Sequence, residues 1–150
     1  MNNQKKNYKI SDHFSSKDFV CNCGNCDKAF KTSLGLIGGL ELLRTKAKAR
    51  IEIVKGYVCP ECAESQTFFK KNYHVLGIAA DITCKNLSLK DFFLLIEEIQ
   101  EFKGIGIDVS KKHIHVDTRK SGERHIWIID DEKQVDIDES NRKFYIENLQ

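Results

Sequence analysis

Proline occurs once in this chain of 150 residues, at Pro60, and tryptophan once, at Trp127. No repeat or low-complexity block fills the gap, so the chain must be divided by its glycines and by hydrophobic periodicity. No apolar run approaches the length of a membrane-crossing helix, which excludes a helical span and any expected membrane partner. The opening Met1-Asn2-Asn3-Gln4-Lys5-Lys6 lacks the apolar core of a secretory leader. An excess of either charge is also missing. With 24 Lys and Arg against 22 Asp and Glu, a net +2, there is no electrostatic footprint for nucleic acid, and none is expected as a partner. What remains is ordinary soluble composition, 41% hydrophobic and 31% charged, in a length that buries one core without covalent staples. A monomer is expected. Cysteine is not scarce: six are present, and without an export signal they read as thiols or metal ligands and not as a disulfide framework.

Periodicity supplies the organisation. Ser33 is placed to cap a helix whose apolar residues Leu36, Ile37, Leu40 and Leu43 recur at helical spacing, with Arg44, Lys46, Lys48 and Arg50 towards its end. Ile51-Glu52-Ile53-Val54 alternates like a half-buried strand, and residues 61–70 read as a short helix. A turn at Gly77 leads into the small apolar strand Ile78-Ala79-Ala80-Asp81-Ile82. A second helix starts at Ser88, with Asp91 as a capping partner, buries Leu89, Phe92, Phe93, Ile96 and Ile99, and is expected to stop at Gly104. Residues 113–119 and 126–129 read as two strands joined by a turn at Ser121-Gly122. Beyond residue 130 the chain is mostly charged, with Val135, Ile137 and Phe144-Tyr145-Ile146 to dock it. The expectation is an α+β domain over residues 1–130, with a small, mostly antiparallel sheet and helices packed on one face, and a peripheral charged tail over residues 131–150.

Side chains alternate along a strand, so His113, His115, Asp117 and Arg119 share one face while Ile114, Val116 and Thr118 share the other. The same parity sets Asp81 beside the small Ala79, in reach of the loop histidine His74. Two imidazoles and one carboxylate suit zinc and leave a fourth position open, the arrangement that lets zinc acidify a water and polarise a carbonyl. Each half of this pattern alone has a bland reading as polar surface; together they point to one catalytic zinc on His74, Asp81 and His115.

At these residues the chain resembles a known family. His74-Val75-Leu76-Gly77-Ile78-Ala79-Ala80-Asp81 is similar to the H-x-x-G-x-A-x-D signature of the zinc D-Ala-D-Ala carboxypeptidases and L-alanyl-D-glutamate endopeptidases, which share a fold with the hedgehog signalling domain. His115-Val116-Asp117-Thr118-Arg119 resembles the family's H-V-D-x-R strand, and Trp127 falls where the family often has tryptophan. Ser11-Asp12-His13-Phe14 and Asp18-Phe19-Val20-Cys21 are similar to its N-terminal segment. The resemblance covers roughly residues 10–129 and implies a hedgehog/DD-peptidase fold, zinc on His74, Asp81 and His115, and hydrolysis next to D-amino acids in peptidoglycan peptides. Because no export signal is visible, the expected location is the cytoplasm, or the cell wall after phage-type release.

Two positions depart from the family. Its S-G-Y-R segment reads Lys55-Gly56-Tyr57-Val58 here, and valine supplies neither the charge nor the fork that holds a carboxylate. Tyr57 and Arg119 are then the substrate-binding candidates, with Lys55 a further cation. Lys112 stands where many relatives place an acid as base, which leaves His113 first and Asp108 second as candidates for proton transfer. These losses motivate the alternative of a zinc-binding module of the same fold, altered or inactive in catalysis, that binds a wall fragment or a protein. Finally, Cys23-Gly24-Asn25-Cys26 and Cys59-Pro60-Glu61-Cys62 form two C-x-x-C pairs with the spacing to share a structural zinc. The competing reading leaves them as thiols, with Cys21 and Cys84 as ordinary buried ones. His13 and His125 read as non-ligands.

Overall fold

The computed structural model describes residues 6–24, 26–64 and 72–150. In chain order its elements are α1 (Leu34–Ala47), β1 (Glu52–Lys55), α2 (Pro60–Glu64), β2 (Ala79–Thr83), α3 (Leu89–Glu97), β3 (Gly104–Asp108), β4 (His113–Asp117), β5 (His125–Asp130), β6 (Lys133–Asp136) and α4 (Arg142–Glu147), with a 3-10 turn at Ser16–Asp18. Most of the helix expected over 61–70 lies outside the described residues.

Six strands form one sheet in the order β1-β2-β4-β3-β5-β6. Every neighbouring pair is antiparallel except β3 with β5, which is parallel. The expected α+β fold with a mostly antiparallel sheet and helices on one face is therefore what the chain adopts. Period-two burial explains which face is covered: Ala80, Ile82, Ile105, Ile107, Ile114, Val116 and Ile128 pack with Leu36, Leu40 and Leu43 of α1 and Phe92, Phe93 and Ile96 of α3 in one cluster. Each of the leucine, isoleucine, valine and phenylalanine side chains contributes about 1.5–3 kcal/mol when fully buried.

The helices begin where the hydroxyl caps predict. Ser33 accepts from the Leu36 amide and Ser88 from the Asp91 amide, both at 3.1 Å. Three expectations need correction. The second long helix ends at Glu97, not at Gly104, which instead opens β3. The strands expected at 113–119 and 126–129 run instead over His113–Asp117 and His125–Asp130, and β3 lies between them in the sheet. Residues 131–150 are not peripheral. They add β6 to the sheet edge and α4, whose Ile146 enters the core together with Leu149.

Candidate metal centre

The sheet face turned away from the helices carries the polar residues of β2, β3 and β4. Backbone register places Lys55 opposite Asp81, Asp81 opposite His115, His115 opposite Gly106 and Gly106 opposite Trp127, one transverse row across five strands. His74 joins from the loop before β2. Its ring Nδ1 donates to the Gly56 carbonyl at 2.8 Å, its own carbonyl accepts from the Val58 amide at 3.4 Å, and its amide is held by Asn72 at 3.0 Å. A carbonyl can only accept, so the His74 proton sits on Nδ1 and the Nε2 lone pair is left for the site.

Three donor atoms converge there. Asp81 Oδ1 lies 3.2 Å from His74 Nε2 and 3.0 Å from His115 Nδ1, and one ligand atom from each of the three residues lies within 4.8 Å of the others. His115 turns its other nitrogen, Nε2, to Asp117 Oδ2 at 2.8 Å. Both imidazoles thus have their outer nitrogen tied by an acceptor and their inner nitrogen aimed at a shared point, the outer-sphere arrangement that orients ligating histidines.

Charge on this face is tightly organised. Burial works to raise the Asp81 carboxyl, but the hydrogen bond from His115 and the closeness of the His74 ring overcome it and hold the group well below the usual carboxylate range. Burial works equally against a charged His115, yet the bonds to Asp117 and Asp81 raise it to about 9. Asp117 has no solvent exposure. Burial opposes its charge too, and Arg119 with His115 keeps it ionised. Arg119 grips it with Nε and Nη2, each at 2.8 Å, and stacks 4.4 Å from the centroid of Tyr73.

Strand β3 makes room for this. Its face alternates Gly104, Gly106 and Asp108. A Cβ on Gly104 would meet Asp117 Oδ2 at 2.1 Å, and one on Gly106 would meet Trp127 Cε2 at 2.4 Å. Two bare positions therefore let the buried carboxylate and the indole lie flat against the strand. Trp127 stacks 5.4 Å from His115 and 4.8 Å from His125. Sequence reading missed these glycines, although the alternation Gly104-Ile105-Gly106-Ile107 is itself a period-two signal.

The other expected residues divide. His113 and Asp108 are paired across β4 and β3, with His113 Nε2 3.8 Å from Asp108 Oδ2. They sit on the same face as His115, two residues along the strand, a step of roughly 7 Å. Asp108 is the last residue of β3. Lys112 has a left-handed backbone, φ 55°, in the turn between β3 and β4, outside the strand face. Val58 is buried, 4% exposed. Arg119 commits Nε and Nη2 to Asp117 and turns Nη1 towards His125 Nδ1 at 3.5 Å, so it braces the buried carboxylate. His125 bonds Asp136 at 2.9 Å, away from the three donors. Burial, with Cys59, Cys21 and Cys26 nearby, raises the Tyr57 phenol above its ordinary value, so it stays a donor. The cysteines regroup: Cys21, Cys23, Cys26 and Cys59 share one cluster, and Cys62, expected as the fourth member, lies against it, its amide donating to Cys59 Sγ at 3.4 Å and its thiol touching Cys23 and Cys21.

Comparison with known proteins gives one family. The model of the family described as peptidase M15 matches residues 12–117, well over half of the chain. No curated protein and no solved structure matches. The members are zinc metallopeptidases, and the donor set fits that ion: two imidazole nitrogens, of which His115 would give up its inner proton to bind, and a carboxylate oxygen. From the N-terminal segment that packs on α1 to the strand that carries His115 and Asp117, this chain belongs to the peptidase M15 family, and its substrate is a peptide.

Proposed function

We propose that the protein hydrolyses a peptide bond next to a D-amino acid in peptidoglycan peptides, as a D-Ala-D-Ala carboxypeptidase or an endolysin-like endopeptidase. The observation that carries this reading is the convergence of His74 Nε2, Asp81 Oδ1 and His115 Nδ1, with both outer nitrogens already committed to Gly56 and Asp117. Zinc bound by these residues would polarise the scissile carbonyl and acidify a water at neutral pH. The chain's own groups do the rest. His113, steadied by Asp108, takes the proton from the attacking water and returns it to the leaving amine. Lys55, opposite Asp81 on the edge strand, supplies the positive charge that Val58 lacks and attracts a substrate carboxylate. Trp127 gives a flat apolar wall beside His115. A phage-type release is the route to cell-wall material that this reading proposes.

Zinc analysis and an assay on D-Ala-D-Ala peptides and muropeptides test the reading. His74→Ala should lose the open-site ion and all turnover. His113→Ala should keep the ion and lose about 100-fold or more in kcat, the usual weight of a positioned proton-transfer group. A specific observation favours a second reading, a zinc module that binds a wall fragment without cutting: the burial of Val58 and the left-handed turn at Lys112 remove both family side chains from the face. Stoichiometric zinc and peptide binding without any cleavage would select it.

A further inference from the structure

The cysteine cluster plays no part in the chemistry above, yet its geometry is demanding. One sulfur from each of Cys21, Cys23, Cys26 and Cys59 lies within 4.8 Å of all the others. Cys23 Sγ is 3.4 Å from Cys59 Sγ and 3.6 Å from Cys26 Sγ. A disulfide would hold its sulfurs about 2.0 Å apart. Four thiolates at about 2.3 Å from one tetrahedral ion stand about 3.8 Å from each other, slightly more than the two shortest spacings and inside the 4.8 Å limit of the cluster. An iron–sulfur cluster interposes sulfide between its irons and drives the cysteines farther apart, so the spacing selects a single ion.

Burial pushes the Cys59 and Cys26 thiols up, and backbone amides work against it. The Cys59 amide donates to Cys21 Sγ at 3.3 Å and the Cys62 amide to Cys59 Sγ at 3.4 Å. Backbone N–H donors favour the ionised sulfur over the thiol. Cys21 and Cys59 are 4% and 2% exposed, which leaves little access for a water ligand. The segment that brings three of the sulfurs is wound by Gly24, Asp27 and Lys28, all at positive φ, and closed by the bond from the Cys21 amide to the Ala29 carbonyl.

We propose that Cys21, Cys23, Cys26 and Cys59 bind one structural zinc ion that clamps the 21–26 segment to the start of α2. Four soft ligands in a closed tetrahedron bind zinc tightly without leaving it reactive. The clamp has a target. Cys59 directly follows the 56–58 stretch, in which Gly56 accepts from the His74 ring, Val58 donates to the His74 carbonyl and Tyr57 donates to Phe19. Fixing Cys59 to Cys21 and its neighbours therefore fixes the carbonyl that orients His74. The core cluster reaches this loop through Phe19, whose carbonyl accepts from the Tyr57 amide, and a cross-link at Cys59 adds a second tie beside it.

The experiment uses the full chain, purified under reducing conditions and reconstituted with cobalt(II), whose thiolate complexes show a charge-transfer band in the near ultraviolet. His74→Ala should retain about one equivalent of metal and the full band, because the open site has no sulfur. Cys26→Ser, on the partly exposed segment, should lose the band while circular dichroism shows the sheet retained. Cys62→Ser should keep it, and Cys21→Ser should not. The proposal is overturned if His74→Ala binds no metal and shows no band, if Cys62→Ser abolishes the band while Cys21→Ser keeps it, or if intact mass shows these cysteines oxidised to disulfides. None of these results depends on peptide hydrolysis, so a failure of the catalytic reading leaves the clamp standing and the reverse.

Discussion

At the scale of single residues, Asp117 has more demands on it than any ligand. It is wholly buried, holds His115 through Nε2, and takes a two-pronged bond from Arg119. Truncation leaves a guanidinium and an imidazole without their counter-charge on a closed surface, where breaking such a pair costs about 3–5 kcal/mol. Asp117→Ala should lower stability in a denaturant titration by that order, and weaken open-site zinc affinity by about 10–100-fold through the unheld His115. Asp117→Asn should fold better and still bind zinc more weakly. If it titrates with zinc like the parent chain, Asp117 does not orient the histidine. The sequence displayed the three donors because parity and residue type are local properties. It did not display which partner each imbalance of charge would find: Arg119 reads as a substrate contact until its fork is seen closed on Asp117. Cys21 reads as an ordinary buried thiol for the same reason, since nothing local says that Cys59 will lie beside it.

At the scale of elements, the two main helices and the strands at β2 and β4 were legible, because hydroxyl caps and alternating burial are written in adjacent residues. Strand β3 was not, since glycine at position 104 is equally a helix stop and a concession to a neighbour's side chain. Adding one methyl at Gly106 tests the second meaning. Gly106→Ala forces Trp127 off the strand and should cost about 1–3 kcal/mol, the usual penalty for overfilling, with a shift in the emission of the single tryptophan. Unchanged emission would mean that the indole does not need the bare backbone. The N-terminal segment makes a different kind of contact. Glu41 on α1 accepts from the Ser11 hydroxyl, the His13 amide and the His13 ring. Burial works to raise the Glu41 carboxyl from its usual 4.5, but these bonds hold it lower. A depressed carboxyl adds stability above the value it has in the unfolded chain and loses it as pH falls through the folded value. The latch should therefore be at full strength above about pH 4.5 and weaken below it. Glu41→Gln should flatten that part of the acid limb of the stability curve. Identical acid limbs for the two chains would show that the latch carries nothing.

At the scale of the whole molecule, residues 131–150 were read as peripheral because their composition is charged, and composition does not reveal a strand edge that needs covering. β6 pairs along β5 from Trp127↔Asp136 to Asp130↔Lys133, the Gln150 carbonyl accepts from the Leu89 amide at the start of α3, and Arg142 pairs with Glu97 near its end. Leu149→Ala should cost about 2 kcal/mol, the low end for a buried leucine, because the site is near the surface. A chain ended after Asp130 should lose its cooperative thermal transition, and a sharp transition at the parent temperature would return these residues to the status of a tail. The hairpin of β3 and β4 has a consequence for how this protein can change. Its side chains alternate between the two faces, so losing one residue within His113–Asp117 would exchange them: isoleucine and valine would go to solvent and histidine into the oil of the core. Losing two would shorten the strand and keep its sidedness. Insertions and deletions in this strand are thus tolerated by parity before they are tolerated by size, and the site's ancestry should be read in even steps.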